Sequence, residues 1–464
     1  MPVLKFLAVS LLVLLAQVTN ASRKPVKVFI LSGQSNMVGA GKVDGGSSRW
    51  GNQFIDPVVS VYKGDYEPPP LGNYDSMEPI KTLKLDAFGG VRPTPYPGGG
   101  THVTRGFIQV KETGIYEFRP GYGGSTYNVM EVAGKEVHRR EVGQNPVRTE
   151  IKLEGGKKVP FKITYFTKQA NGLGWIVRLD VPGALSTMVK FKGMYPYLID
   201  EMRQWKVRDD VWYRGVVAAA GSRWSGVSGG RIGPEIGFGH VVGNHIDEPV
   251  LILKTSQGNR SLSWDFLTPG SKQFEYKGKI YAGYKETPLS WDKGTKPVPI
   301  NWYAGKQYDD CFGAAHEVLN NFEKEFPHWK GRGYQIEGFA WWQGDKDRYV
   351  EAHAVRYEKN LVRLIKTLRE EFKAPKAKFV VATLGQTPKD APPSNEKLIL
   401  DAQLAVDGAT GKYSEFKGNV ATVYTHPLSK GGASNSHYNG NAQTYMDVGL
   451  AMGDAMVELI KLKK

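Results

Sequence analysis

Val28-Phe29-Ile30-Leu31-Ser32-Gly33-Gln34-Ser35-Asn36-Met37 is the stretch around which this chain is organised. Its apolar, β-branched start predicts a buried parallel strand. The run stops at Ser32-Gly33, so Ser35 sits where the strand hands over to the next element. In α/β sheets that carboxyl-terminal strand edge is where ligands bind. A nucleophilic serine needs an exposed tight turn, with its own backbone N–H facing a developing oxyanion. Gly33 permits such a turn, and the Asn36 amide can tie the loop down. Taken alone, the ten residues fit a plain turn that ends a strand better than a nucleophile loop; the rest of the chain has to decide.

Outward from this stretch, strands, loops and helices alternate. Residues 39 to about 100 are rich in Gly and Pro, with Pro68-Pro69-Pro70 as punctuation, and read as long surface loops. From Thr101 to about Val181 the texture is that of short strands, such as Gly114-Ile115-Tyr116-Glu117-Phe118, separated by turns such as Glu154-Gly155-Gly156. That spacing predicts an all-β sandwich. The α/β texture then returns. A helix is expected over Tyr195 to Trp205, with Leu198, Ile199, Met202 and Trp205 on one side, and another opens at Gly233-Pro234. Val250 to Lys254 reads as a second buried strand ending in Gln257-Gly258-Asn259. Ile336 to Trp342 is a third, ending in Gln343-Gly344-Asp345-Lys346-Asp347, and Phe379 to Leu384 is a fourth. Between them lie an aromatic region over residues 263–309, an expected helix near Phe312 to Phe326, and an amphipathic helix carrying Leu361, Leu364, Ile365, Leu368 and Phe372. The chain closes with a strand at Val420 to Tyr424, a loop at His437 and a last helix carrying Met452, Met456 and Leu459. The expected fold class is therefore α/β, a doubly wound, mostly parallel sheet in three layers, interrupted by an all-β module. The expected domains are a signal peptide over 1–21, a first catalytic part over 22–100, the inserted module over 101–190, and the second catalytic part over 191–464.

Four loops carry residues suited to acyl transfer from an ester, which needs a nucleophile, a base and oxyanion donors. Ser35 can be the nucleophile and His437 the base, with His426 in Tyr424-Thr425-His426-Pro427 as its rival. The backbone N–H groups of Ser35 and Gly258, and the side-chain amide of Gln343, can be the donors. Loss of one such donor typically costs about 2.7–4 kcal/mol of transition-state stabilisation.

Gly33-Gln34-Ser35-Asn36, the glycine turn at 258, Trp341-Trp342-Gln343-Gly344-Asp345-Lys346-Asp347 and the late histidine together resemble the SGNH-hydrolase superfamily. More narrowly, they resemble its sialate O-acetylesterase and acetylxylan esterase group of carbohydrate esterases. The resemblance implies a flavodoxin-like sheet, Ser35 as nucleophile, His437 as base, oxyanion donors at Ser35, Gly258 and Gln343, and catalysis without a metal or cofactor. The chain departs from the family pattern in three places. Ser434 stands three residues before His437, where an orienting aspartate is common. The family's Gln-Gly-Glu reads Gln343-Gly344-Asp345. Asn259 stands where a second glycine is common. Asp345 or Asp347 could orient His437 across the loops, or a backbone carbonyl could hold its tautomer; both acids equally suit a helix start. The short strands at Gly114–Phe118, Val132–Val137 and Leu153–Gly156 resemble the protective-antigen-type β-sandwich attached to secreted carbohydrate-active proteins, which implies either polysaccharide contact or a plain spacer.

Composition bounds these readings. The 464 residues are 41% hydrophobic and 11% aromatic, enough for a large core and two domains. Lys5, the apolar run from Phe6 to Ala16 and Thr19-Asn20-Ala21 have the form of a cleaved secretory signal, which predicts a secreted or periplasmic protein. No later run is long enough to cross a membrane. Cys311 is the one cysteine, so no intramolecular disulfide and no cysteine-built zinc site can form. The nine histidines show no HExxH or HxH spacing, so no metal is expected. The net charge of +15 comes without an arginine-rich helix or zinc-finger spacing, so a nucleic-acid partner is not expected. An acidic polysaccharide suits the charge better.

Overall fold

The computed structural model describes residues 24–49, 53–62, 74–84, 100–120, 125–141, 143–167 and 174–462. The expected signal segment 1–21 lies outside them. The chain divides into two compact units, one formed by residues 1–41 and 197–464, the other by residues 42–196. Both are built on β-sheets, and helices are concentrated in the first.

The first unit is a mixed α/β structure on a seven-stranded sheet. Its strands are β1 (Val26–Gly33), β2 (Val207–Val217), β3 (Gly221–Gly226), β4 (Val250–Ser256), β5 (Tyr334–Trp342), β6 (Lys378–Ala382) and β7 (Val420–Val423), in the order β3-β2-β4-β1-β5-β6-β7. All neighbours run parallel except the β2/β3 pair. β1 is central because its side chains are apolar on both faces, as a strand covered by helices on both sides requires. Val26, Val28 and Ile30 join a core with Phe312 and Ala315 of the helix Lys306–Asn320 and Leu361 and Leu364 of the helix Glu351–Glu371. Phe29 points the other way and meets Phe238 of the helix Glu235–His245 edge-on, ring centroids 5.5 Å apart. Val28, Phe29, Ile30 and Leu31 are all at most 1% exposed. Burying each contributes about 1.5–3 kcal/mol as an upper bound.

One expectation fails in this unit. Residues 195–205 form no long helix. Ile199 and Trp205 instead bridge antiparallel across a turn, with Arg203 in the left-handed region and Met202 61% exposed. The aromatic region around 263–309 is largely self-packed. Trp264, Leu267, Ala282 and Ala304 form a small core under Leu289, Trp291 and Trp302. A three-stranded antiparallel sheet of Phe274–Tyr276, Lys279–Tyr281 and Ser290–Asp292 lies in the same region.

The second unit holds a seven-stranded and a four-stranded antiparallel sheet. Phe54, Ile108, Phe118, Met130, Phe161 and Ile176, drawn from both sheets, share one core. This unit starts at residue 42, some sixty residues before the expected boundary at 101. The strand Phe54–Tyr62 explains the difference, because it pairs with Gly100–Gln109 inside the larger sheet. Pro57 sits where the register shifts between Ile55 and Val58, and Asp56 has φ +50°. A proline is admitted to a strand at such a bulge.

Candidate active site

The parallel sheet brings the predicted loops to one edge. Gly33 is paired in register with Ser256 on one side and Trp342 on the other, so β1, β4 and β5 end level. The Gln34 N–H donates to the Trp342 carbonyl (3.2 Å) and the Gln257 N–H to the Gly33 carbonyl (3.2 Å). Gly33 is required here. Its φ is +149°, and a Cβ would lie 2.2 Å from the Trp342 carbonyl oxygen.

A cleft of about 470 Å³ opens on this edge, lined by Ser35, Gly258, Asn259, Asp345, Lys346, Tyr349 and His437 among others. Ser35 and His437 therefore face one cavity, whereas His426 does not line it and bonds through Nδ1 to the Gly385 carbonyl (2.7 Å). Ser35 starts a single helical turn, Ser35–Val38, so its N–H has no intrahelical acceptor. Among the described residues, the N–H groups of Ser35 and Gly258, the Ser35 hydroxyl and the His437 ring are without a hydrogen-bond partner. A Cβ added to Gly258 would lie 3.5 Å from the Ser35 Cβ, so this loop passes directly beside the serine. Asn259 has φ +55°, which explains why glycine suits this position and why asparagine is tolerated.

The serine loop is anchored from behind. Asn36 is 1% exposed; its amide donates to the Ser434 carbonyl (3.4 Å), and its oxygen accepts from the Tyr445 hydroxyl (3.0 Å). The same hydroxyl lies 3.3 Å from the His437 carbonyl oxygen. Tyr445 of the helix Ala442–Lys461 thus links the two loops, a role with no local sequence signature. His437, Tyr438 and Asn439 all have φ near +52°, three successive left-handed residues. Fully buried Tyr438 holds this turn by stacking on Trp342, ring centroids 5.9 Å apart.

The loop after β5 is built differently. Gln343 is 0% exposed and does not line the cleft. Its Nε2 faces three acceptors, Asp347 Oδ2 (2.7 Å), the Arg260 carbonyl (2.9 Å) and Gln34 Oε1 (3.2 Å), and its oxygen accepts from Tyr357 (3.0 Å). The expectation that Gln343 donates to an oxyanion is corrected accordingly, since its two amide protons are engaged within the fold. Asp347 is corrected too. Its carboxylate accepts from the N–H groups of Leu262 (2.8 Å) and Ser263 (2.9 Å) and from Gln343, and it is fully buried and does not line the cleft that holds His437. Complete burial raises its pKa, against the pull of those donors.

Asp345 does line the cleft with His437. It accepts from Arg348 Nε (2.9 Å) and from Ser434 Oγ (2.7 Å). Ser434, at the position of the family's usual acid, thus holds a carboxylate supplied by another loop. Lys346 and Tyr349 also line the cleft, and sequence reasoning missed both although they follow the Gln343-Gly344-Asp345 motif directly.

A family model described as carbohydrate esterase, sialic acid-specific acetylesterase, matches residues 222–458, just over half of the chain. The chain belongs to this family. It is accordingly an esterase of carbohydrate acetylesterase type. The match contains Gly258, Gln343 and His437 and begins after Ser35. No curated protein matches the chain in sequence. Among solved structures it is similar to a protein from Arabidopsis thaliana, at 15% identity and TM-score 0.32, covering 55% of this chain and 87% of that one. It is also similar to a carbohydrate acetylesterase from Xanthomonas citri, at 10% identity and TM-score 0.35, covering 78% and 71%. A third is a carbohydrate esterase family 2 enzyme with a carbohydrate-binding domain from Corynascus thermopiles, at 12% identity and TM-score 0.26, covering 81% and 98%.

Proposed function

We propose that this esterase is a secreted carbohydrate O-acetylesterase that works through a Ser35–His437 acyl-enzyme mechanism. The observation that carries the reading is the shared cleft, in which Ser35 and His437 stand with two uncommitted backbone N–H groups. In the proposed first step, Ser35 Oγ attacks the acetyl carbonyl carbon while His437 takes the hydroxyl proton. The N–H groups of Ser35 and Gly258 bond to the oxyanion. Asn259, whose side chain has no hydrogen-bond partner among the described residues, supplies the third donor in place of Gln343. The tetrahedral intermediate collapses as His437 returns its proton to the departing sugar hydroxyl, leaving acetyl-Ser35. Water, deprotonated by His437, then releases acetate and restores the serine.

In this reading Asp345 is the acid that orients the site, acting through Ser434 and the loop that carries His437. The parallel sheet is of the SGNH, doubly wound type, and residues 42–196 form an inserted β-sandwich that contacts polysaccharide. The signal-like sequence at 1–21 supports export. Ser434 in place of the usual acid favours a second reading, a catalytically weak carbohydrate-binding protein on the same fold.

Release of 4-nitrophenol from 4-nitrophenyl acetate separates the two. Ser35→Ala and His437→Ala should each lower kcat by about 10³-fold or more, with His426→Ala close to wild type. Equal slowness of wild type and Ser35→Ala would leave the binding reading standing. Acetate release from acetylated xylan and from O-acetylated sialic acid then identifies the sugar.

A further inference from the structure

A second cavity, of about 400 Å³, lies in the same unit and is lined by side chains that the proposed hydrolysis does not use. That volume is within the range of ligand pockets. Arg356, Lys359 and Arg363 reach it from the helix Glu351–Glu371, and Lys272 joins them from the loop before the strand Phe274–Tyr276. Spacings of three and four residues put the three helix cations on one face, where like charges repel. No carboxylate lines the cavity. Nearby acids are engaged elsewhere: Glu351 with Lys277, Glu275 with Lys293 (2.8 Å), and Glu358 with Lys412 (2.7 Å). Among the described residues, none of the four cations has an ion-pair partner.

Arg356 is the most developed of them. Its Cζ lies 4.4 Å from the centre of the Phe274 ring, which also lines the cavity and stacks on Tyr281. The guanidinium is thereby held against a fixed aromatic surface, an arrangement suited to planar, bidentate recognition of an oxyanion. Its Nε is buried with no acceptor in the protein. A buried donor without an acceptor is uncommon in folded proteins and marks a place where one is expected.

We propose that this cavity binds the carboxylate or sulfate group of an acidic glycan, as a site separate from the Ser35 cleft. The family's action on carbohydrate selects a glycan as the carrier, and that choice of carrier is independent of which residue is the nucleophile. The cations converge around a concavity and do not form a long stripe, which favours a compact anionic group over a nucleic-acid backbone.

Calorimetric titration of the full chain tests this with five probes: hexagalacturonate, a sulfated hexasaccharide, neutral cellohexaose, inorganic sulfate and a single-stranded oligonucleotide. At least one acidic hexasaccharide should bind ten times or more tightly than cellohexaose, with inorganic sulfate competing and added salt weakening the binding. Preference for one acidic sugar names the source. Lys359→Glu, at an exposed position, and Arg356→Gln should each lower that affinity tenfold or more while 4-nitrophenyl acetate hydrolysis stays at the wild-type rate. The proposal is overturned if cellohexaose binds as well as the acidic sugars, or if both variants bind as wild type. Binding of inorganic sulfate alone, or tighter binding of a single-stranded oligonucleotide at the same residues, would also overturn it. Inactivity of Ser35 would leave these outcomes unchanged, so the two proposals fail separately.

Discussion

The loops that follow β1 and β4 differ from the loop that follows β5 in what they leave unpaired. The first two bring the N–H groups of Ser35 and Gly258 into the cleft with no acceptor in the protein. The third, from Gln343 to Asp347, turns its amide and one of its carboxylates inward and commits them to Gln34, Arg260, Leu262, Ser263 and Tyr357. Three loops on one sheet edge thus divide the work. Two leave backbone N–H groups unpaired in the cleft, and one bonds to both of the others through Gln343.

Substitutions can sharpen that division. The largest effect is expected at Gly33, which joins the two kinds of loop. Gly33→Ala forces a Cβ against the Trp342 carbonyl at an unfavourable φ. It should destabilise the protein by about 2–6 kcal/mol, as overpacking and backbone strain each cost about 1–3. Denaturant melts read this, and an unchanged midpoint would break the account of how β1 meets β5.

A smaller loss, about 1–3 kcal/mol, is expected for Asp347→Asn, because one oxygen would replace two in front of three donors. Its pH dependence has a definite sign. Asp347 has a raised pKa in the folded state, so the folded state holds a proton that the unfolded state has lost. This group's contribution therefore declines as pH rises above the ordinary carboxylate value of 3.8 and levels off above the folded pKa. The Asn variant should lack that decline in melts taken from pH 4 upward.

The smallest effect on stability, within about 0.5 kcal/mol, belongs to Gly258→Ala. Its Cβ would meet only the Ser35 side chain at ordinary contact distance. Under the proposed mechanism, crowding beside Ser35 should nonetheless lower kcat/KM by about tenfold, equivalent to about 1.4 kcal/mol. If the variant lost stability and kept its activity, the division between presenting and holding loops would be wrong.

Much of this arrangement was readable from the residues. The apolar run before Gly33 predicted a strand covered on both faces, and three similar runs with glycine-containing ends predicted a common edge. The two motifs at Gln34-Ser35 and Gln343-Gly344 do meet there. What stayed hidden depends on partners distant in sequence. The spacing of Leu198, Ile199, Met202 and Trp205 suits a helix, yet positive φ at Tyr195 and Arg203 and the Ile199–Trp205 bridge direct the chain otherwise. Pro57 masked the strand Phe54–Tyr62, because the bulge that admits it is made by pairing with a strand almost fifty residues later. Gln343 was expected to donate to an oxyanion, but its orientation is set by Asp347, Arg260 and Tyr357. Similarly, nothing local to Ser434 announces that its hydroxyl receives a carboxylate from the β5 loop.

The position of β1 in the middle of the sheet has a consequence for how the protein is made. This strand emerges from the ribosome before β4 and β5, which fill both of its hydrogen-bonding edges and emerge more than two hundred residues later. Until then a nearly all-apolar strand waits with two open edges, a template for mispairing. The nascent chain is therefore vulnerable at this strand, and shielding by a chaperone matters most before β5 is complete. The same order keeps Ser35 apart from His437 until about four hundred further residues have been made, so the cleft that both line cannot form before then.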